Sequence, residues 1–319
     1  MLIVCSIDLY FKRIHVALPL FRRPTFLQNY MLAEGDWDFS KLSLENTFVI
    51  GGMFALAARF STSKYFQDID LKERGNIFAI KSQVVFREAR LRAGSQYASL
   101  KWLQGCILLA YYHQACRPPW QEDFPLVACI RLAHRLELHS IDEMDPDLSD
   151  NTTVSEWMSK EEKRRAWWVV WELDAFDAVM KHHPFLLDRN RMHVRLPVSD
   201  EDWFAGTPKA SEAIIGDVSQ CWRSLRDTPN KDPKAWFYIS NYFLAQALEL
   251  CQRRKVAHKS VRDLENAIIC FSHLVHERFR VAPSAFPSDE DKIIYDNWLT
   301  MARLMLYRYG RTSLKADRC

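Results

Sequence analysis

Trp167, Trp168, Val169, Val170 and Trp171 follow one another without a polar break, inside a segment from Lys160 to about Lys181. A helix that is apolar on every side belongs in a core, so this pattern predicts a buried helix. Ser159 and Glu162 have capping-box spacing at its start, and Glu161 and Glu162 place negative charge where the helix dipole favours it. Pro184 predicts the stop, because the residue before a proline is pushed out of helical geometry. The stretch MHVRLPV (residues 192–198) alternates apolar and polar positions and reads as an extended arm.

The same reading predicts helices at Leu44 to Phe60, Ile77 to Arg92, Leu100 to Cys116, Phe124 to His139, Ser211 to Leu225, Lys234 to Lys255, Val261 to Arg280 and Glu290 to Tyr309. Pro118-Pro119 separates the third from the fourth, which makes that pair an αα-hairpin. Asp142 to Thr153 reads as an acidic loop, and Lys315 to Cys319 as a frayed tail. The expected fold class is all-α, a multi-helix array of packed antiparallel helical hairpins. Residues 1–319 are read as one helical domain, with 206–319 a continuation of the first part.

Composition narrows the function classes. Nine glycines in 319 residues are few for a sandwich or a phosphate-binding loop, which spend glycine on turns. A net charge of +3 gives no global electrostatic case for nucleic acid. The eight cysteines form no C-x-x-C pair and lie mostly in apolar runs, as small buried hydrophobes do in a reducing compartment. MLIVCSIDLY is interrupted by Asp8 too soon for a signal peptide, and no apolar run approaches membrane-spanning length. The sequon Asn151-Thr152-Thr153 is read as chance without a secretory signal.

Candidate chemistry is sparse. Cys106, His113 and Cys116 share a helix face, but without a second ligand pair core packing explains them better than a metal. His182-His183 suits a helix C-terminus that uses cationic side chains against free carbonyls. The tryptophans could line a pocket, yet adjacent positions on one helix face different ways, which favours packing. Asp174 shares a face with Trp167, Val170 and Ala178, and a buried carboxylate needs a partner. Arg131 or Arg135, on the preceding helix, is the expected cation, in a structural salt bridge. Lys163-Arg164-Arg165, Arg253-Arg254-Lys255 and Arg22-Arg23-Pro24 read as short solvated basic patches. No nucleophile elbow, metalloprotease, dinucleotide or P-loop motif is present, so no enzyme is expected.

These residues also carry a resemblance. Lys163-Arg164-Arg165 with Trp167-Trp168, then Glu172-Leu173-Asp174, His183-Pro184, Leu196-Pro197 and Asp200 to Trp203, resemble in order the signature of the fungal-specific transcription factor domain. This is the regulatory middle region of fungal zinc binuclear-cluster regulators. LVACIRLAHRLELH (126–139) and YFKRIHVALPLFRRPTF (10–26) resemble segments before it, so the likeness is clearest over residues 10–205. Two departures stand out: His182-His183-Pro184 replaces the usual Gly-Arg-Pro, and Ala175 stands where an arginine usually follows the aspartate. The resemblance implies structural signature roles for Arg164, Arg165, Trp167, Trp168, Trp171, Asp174, Pro184, Leu196 and Pro197. It implies a nuclear regulator with protein partners, possible small-molecule effectors and no membrane contact. It places zinc and DNA contact in a six-cysteine module absent from this sequence, so no cofactor is expected in this chain. The other reading open at this point is a stand-alone metabolite- or protein-binding regulator without DNA contact.

Overall fold

The structure, a computed structural model, describes residues 2–280 apart from 31–41, 94–97, 117–123, 145–152, 190, 229, 231, 254 and 255. The protein is all-α, with no strand among the described residues. The described residues form ten α-helices: α1 (Leu2–Leu9), α2 (Arg23–Tyr30), α3 (Leu44–Ala57), α4 (Asn76–Ala93), α5 (Leu100–Cys116), α6 (Phe124–Arg135), α7 (Val154–Lys181), α8 (Asp200–Ala205), α9 (Pro233–Gln252) and α10 (His258–Arg280).

Contacts between side chains fix the helix directions. Phe48 stacks on Phe86 and Phe54 meets Phe78, so α3 and α4 are antiparallel. Tyr112 bonds Asn76 while Trp102 meets Phe86, so α4 and α5 are antiparallel too. α3 therefore runs parallel to α5 and packs directly against both it and α4. Ser99 donates to Glu45 at one end, and Arg59 reaches the Ala115 carbonyl at the other. Glycine makes that close pairing possible: a Cβ on Gly52 would lie 2.9 Å from the Leu108 Cβ, and one on Gly105 would enter the Phe48 ring. Next, α7 lies along α5, with Gln104 reaching Glu162 and Gln114 reaching the Leu173 carbonyl. α9 lies along α7 from Lys234–Glu172 to Gln252–His183.

α7 is the axis of the molecule. Its 28 residues include Trp157, Trp167, Trp168 and Trp171, all essentially without solvent exposure. Trp168 stacks on Tyr238 of α9, with ring centroids 5.1 Å apart. One apolar cluster runs from Ile7 to Val275, and a small satellite forms around Trp157, Val198 and Trp203.

Several expectations need correction. α7 starts at Val154, capped by a Thr153–Glu156 box, so Ser159 and Glu162 lie inside the helix. The Thr153–Glu156 pair has the same S/T-x-x-E spacing one and a half turns earlier, and the earlier box wins because Trp157 is buried and extends the apolar face. α6 stops at Arg135, where Glu137 takes left-handed backbone. Residues 211–225 are turns and a short 3-10 segment, Cys221–Arg223, rather than a helix. There Asp217 and Ser224 side chains bond backbone N–H groups, the local competition that keeps such residues out of helices. Three short helices, α1, α2 and α8, were not foreseen. The expected helix at Glu290 to Tyr309 and the tail lie outside the described residues.

Candidate functional site

The N-terminal half of α7 carries a buried ionic network. Arg164 and Arg165 are 0% and 1% exposed, which overturns their reading as a solvated basic patch; only Lys163 of that run faces water. Partners come from two directions. Arg164 grips Asp142 through Nε (2.9 Å) and Nη2 (2.6 Å), and Lys160 (3.1 Å) and the Arg195 N–H (2.9 Å) meet the same carboxylate. Asp142, expected at the start of an acidic loop, is thereby a buried anchor. Arg165 donates to Glu161 one turn back (2.9 Å), to the Val198 carbonyl (2.6 Å) and to Asp200, and its guanidinium lies 4.2 Å from the Trp203 ring centroid. Glu161 accepts the Val198 N–H (3.0 Å), and His15 closes on Asp200 (3.2 Å).

The network clips the arm at residues 194–200 onto α7. It also explains the ionisation of its members. Burial alone would raise Asp142 and Asp200, but Arg164 and Arg165 hold them below the usual carboxylate range. For Glu161 burial wins over the two arginines and its pKa is raised. Burial also pushes Asp232, at the start of α9, up to about 7, with Asp200 and Glu161 adding repulsion.

The C-terminal half carries a second lock, and here the expected partners of Asp174 are wrong. Arg131 and Arg135 lie exposed on α6. Asp174, fully buried, pairs instead with Arg189 (3.3 Å) and accepts the N–H groups of Leu186 (3.0 Å) and Leu187 (3.2 Å). Arg189 is held between the Trp171 and Phe185 rings, 4.2 and 3.8 Å from their centroids. The physical reason is chain reversal. After Lys181 the His182 backbone turns left-handed, and the segment past exposed Pro184 folds back along α7, where its free N–H groups meet the carboxylate. A nearby acceptor for free donors past a helix end was the signal available in sequence. His183 bonds the Pro184 carbonyl (2.7 Å) and pairs with Asp177 (2.8 Å), which together raise its pKa above the ordinary histidine value despite burial.

The remaining signature residues are packing elements. Leu196 and Pro197 are buried in the arm, with the Pro197 carbonyl held by Asn230 (2.8 Å). Trp168 Nε1 donates to the Arg195 carbonyl (2.6 Å), and Trp167 packs against His134 and His139. His113 bonds Gln83 (2.7 Å) rather than facing Cys106, whose buried thiol is raised far above the thiolate-forming range. Among the described residues no group of three or more His, Cys, Asp or Glu side chains is placed to hold a metal ion.

Beside the network opens a cleft of about 240 Å³, walled by α2 and closed below by α3, α5, α7 and Trp203. Phe26 and Tyr30 give it aromatic edges over buried Trp203, Arg22 and Lys101 give it positive charge, and Glu162 gives it a carboxylate. Glu162 accepts a hydrogen bond from buried Gln104 (2.7 Å), and burial raises its pKa against the pull of Gln104, Lys101 and Lys163. Sequence reading gave Glu162 only a capping role and found no cleft, because no motif marks one.

Comparison with known proteins gives this arrangement a family. The profile of the fungal specific transcription factor domain matches residues 7–309. Transcription factor AN6788 of Emericella nidulans is 26% identical over 62% of this chain and 28% of its own length. The ascochitine biosynthesis cluster transcriptional regulator of Didymella fabae is 24% identical over 69% of this chain and 36% of its own. The pigment biosynthesis transcriptional activator pigB of Monascus ruber is 24% identical over 67% and 36%. The chain thus spans about a third of the length of these curated relatives. No solved structure matches. The chain belongs to the fungal-specific transcription factor domain family.

Proposed function

We propose that this chain is the regulatory part of a transcription factor that controls transcription through protein contacts and a small-molecule effector, without catalysis. The observation that carries the reading is the family match over residues 7–309, whose signature side chains form internal locks on α7 rather than a reactive constellation. DNA contact is indirect in this reading and belongs, with its zinc, to the family's six-cysteine module. The working compartment is the nucleus. This chain binds no cofactor of its own.

A direct test joins the chain to a heterologous sequence-specific DNA-binding module and measures a reporter under that module's site. Reporter output should differ from that of the module alone, in either direction, and should revert when the α7 locks are broken. Output identical to the module alone, with the fusion folded and nuclear, would refute the reading.

A further inference from the structure

We propose that the cleft beside α7 binds a small hydroxylated aromatic molecule of one or two rings, with Glu162 accepting a hydrogen bond from its hydroxyl. The inference deepens the regulatory reading, and rests on it for its biological consequence only.

Size comes first. A space of about 240 Å³ that opens at its mouth has room for one or two fused rings. Shape and chemistry come next. Phe26 and Tyr30 lie 4.7 Å apart and tilted by 49°, with Phe21 edge-on to Phe26, and present their ring edges to the cleft above fully buried Trp203. Planar aromatic ligands gain from offset and edge contacts with such rings.

Charge selects the polar groups. Glu162 is a mostly buried carboxylate whose hydrogen bond comes from Gln104, itself 1% exposed and also tied to the Leu20 carbonyl (3.0 Å). A carboxylate in poor solvent gains most from a strong O–H or N–H donor. Arg22 and Lys101 line the same cleft. Arg22 is spent on the Trp203 and Phe204 carbonyls and on Thr25, while Lys101 meets Asn46 (2.9 Å) at the exposed mouth. Two cations against one carboxylate disfavour a cationic amine. A neutral hydroxyl at Glu162, with a carbonyl or carboxylate toward Lys101, satisfies both ends.

The position gives binding a consequence. Glu162 is the neighbour of Glu161, which holds the arm at Val198 and the guanidinium of Arg165. Trp203 lines the cleft and also lies under Arg165. A ligand that fills the cleft therefore favours the clipped state of α2, α8 and the arm, and any state that opens the clip loses the ligand.

The test uses the purified full chain and two probes, 6-hydroxy-2-naphthoic acid and 2-naphthoic acid, followed by calorimetry. The hydroxylated probe should bind with one-to-one stoichiometry and a Kd on the order of 0.1 mM, a modest efficiency for a ligand of this size. The probe lacking the hydroxyl should bind about tenfold more weakly, the value of one charge-assisted hydrogen bond. Glu162→Gln should erase that difference. Ser159→Trp, at an exposed position on the cleft wall, should abolish binding of both. Melting curves establish that each variant is folded. No saturable binding by the folded parent overturns the proposal, as does equal affinity for the two probes or binding that survives Ser159→Trp. Failure here leaves the reporter result standing, and a silent reporter leaves the calorimetry standing.

Discussion

Replacing Arg165 by methionine should unfold most of what the α7 network holds. The guanidinium is 1% exposed and serves Glu161, Asp200, the Val198 carbonyl and the Trp203 face. Methionine keeps much of the volume and none of the donors. Removing one partner of a buried pair costs about 3–5 kcal/mol, because the other charge is stranded in poor solvent. The lost cation–π contact adds about 1–2 kcal/mol. Against a typical total of about 5–15 kcal/mol this is a large share. Arg165→Lys should recover only part, since an ammonium cannot fork between carboxylate and carbonyl. The double variant Glu161→Leu/Arg165→Met should be less damaged than the two singles added, by about 1–3 kcal/mol of coupling. Urea unfolding followed by tryptophan fluorescence measures each value, provided the slope against denaturant is unchanged. A loss under about 1 kcal/mol for Arg165→Met would show that the network is solvated and the energetic argument mistaken.

Asp174→Asn should cost about 2–4 kcal/mol by stranding Arg189, whose pKa burial already lowers to about 10, while Arg131→Ala stays within about 0.5 kcal/mol; equal melting shifts for the two would restore α6 as the partner. For pH, the folded pKa of Asp232 lies above its unfolded value, so its contribution is fully present below about pH 4 and is lost as pH rises through about 7. Asp200 and Asp142 run the other way, their contribution being present above about pH 4 and lost in stronger acid. Asp232→Asn keeps the cap on Lys234 N–H and should flatten the fall from pH 5 to 8 by roughly 2 kcal/mol, read from chemical melts across that range. The chain alone should carry no stoichiometric zinc and show only weak, salt-sensitive DNA binding; two zinc ions per chain by elemental analysis, or sequence-selective binding, would contradict this.

Much of the fold was legible because its signals are local. The apolar runs of α3, α4, α5 and α9 place those helices to within about three residues among the described residues. The α7 start was displaced because two capping boxes of equal spacing compete, and only burial of Trp157 decides between them. Residues 211–225 defeated the pattern because Ser and Asp side chains took the backbone donors. The charged residues were the least legible. A run such as Lys163-Arg164-Arg165 looks solvated in sequence, and its burial depends on Asp142 and Asp200, which lie 22 and 35 residues away. The same holds for Asp174, whose partner follows it 15 residues later, past a left-handed turn that no proline rule specifies.

The two locks divide the work along α7. The Asp174–Arg189 pair ties down a segment contiguous with the helix, so it closes a short loop at small entropic cost. The network at Glu161, Arg164 and Arg165 instead gathers α6's trailing residues, the arm, α8 and residue His15 near the amino end, which are remote in sequence. Elements gathered from a distance lose more entropy when ordered and are the ones that separate first when a contact fails. The cleft sits beside this network and not at the Asp174–Arg189 pair. A regulatory ligand needs a part of the molecule with two accessible states, because it shifts an equilibrium only by its preference between them. Under the proposed regulatory role, the N-terminal half of α7 would be that part and its C-terminal half the fixed frame.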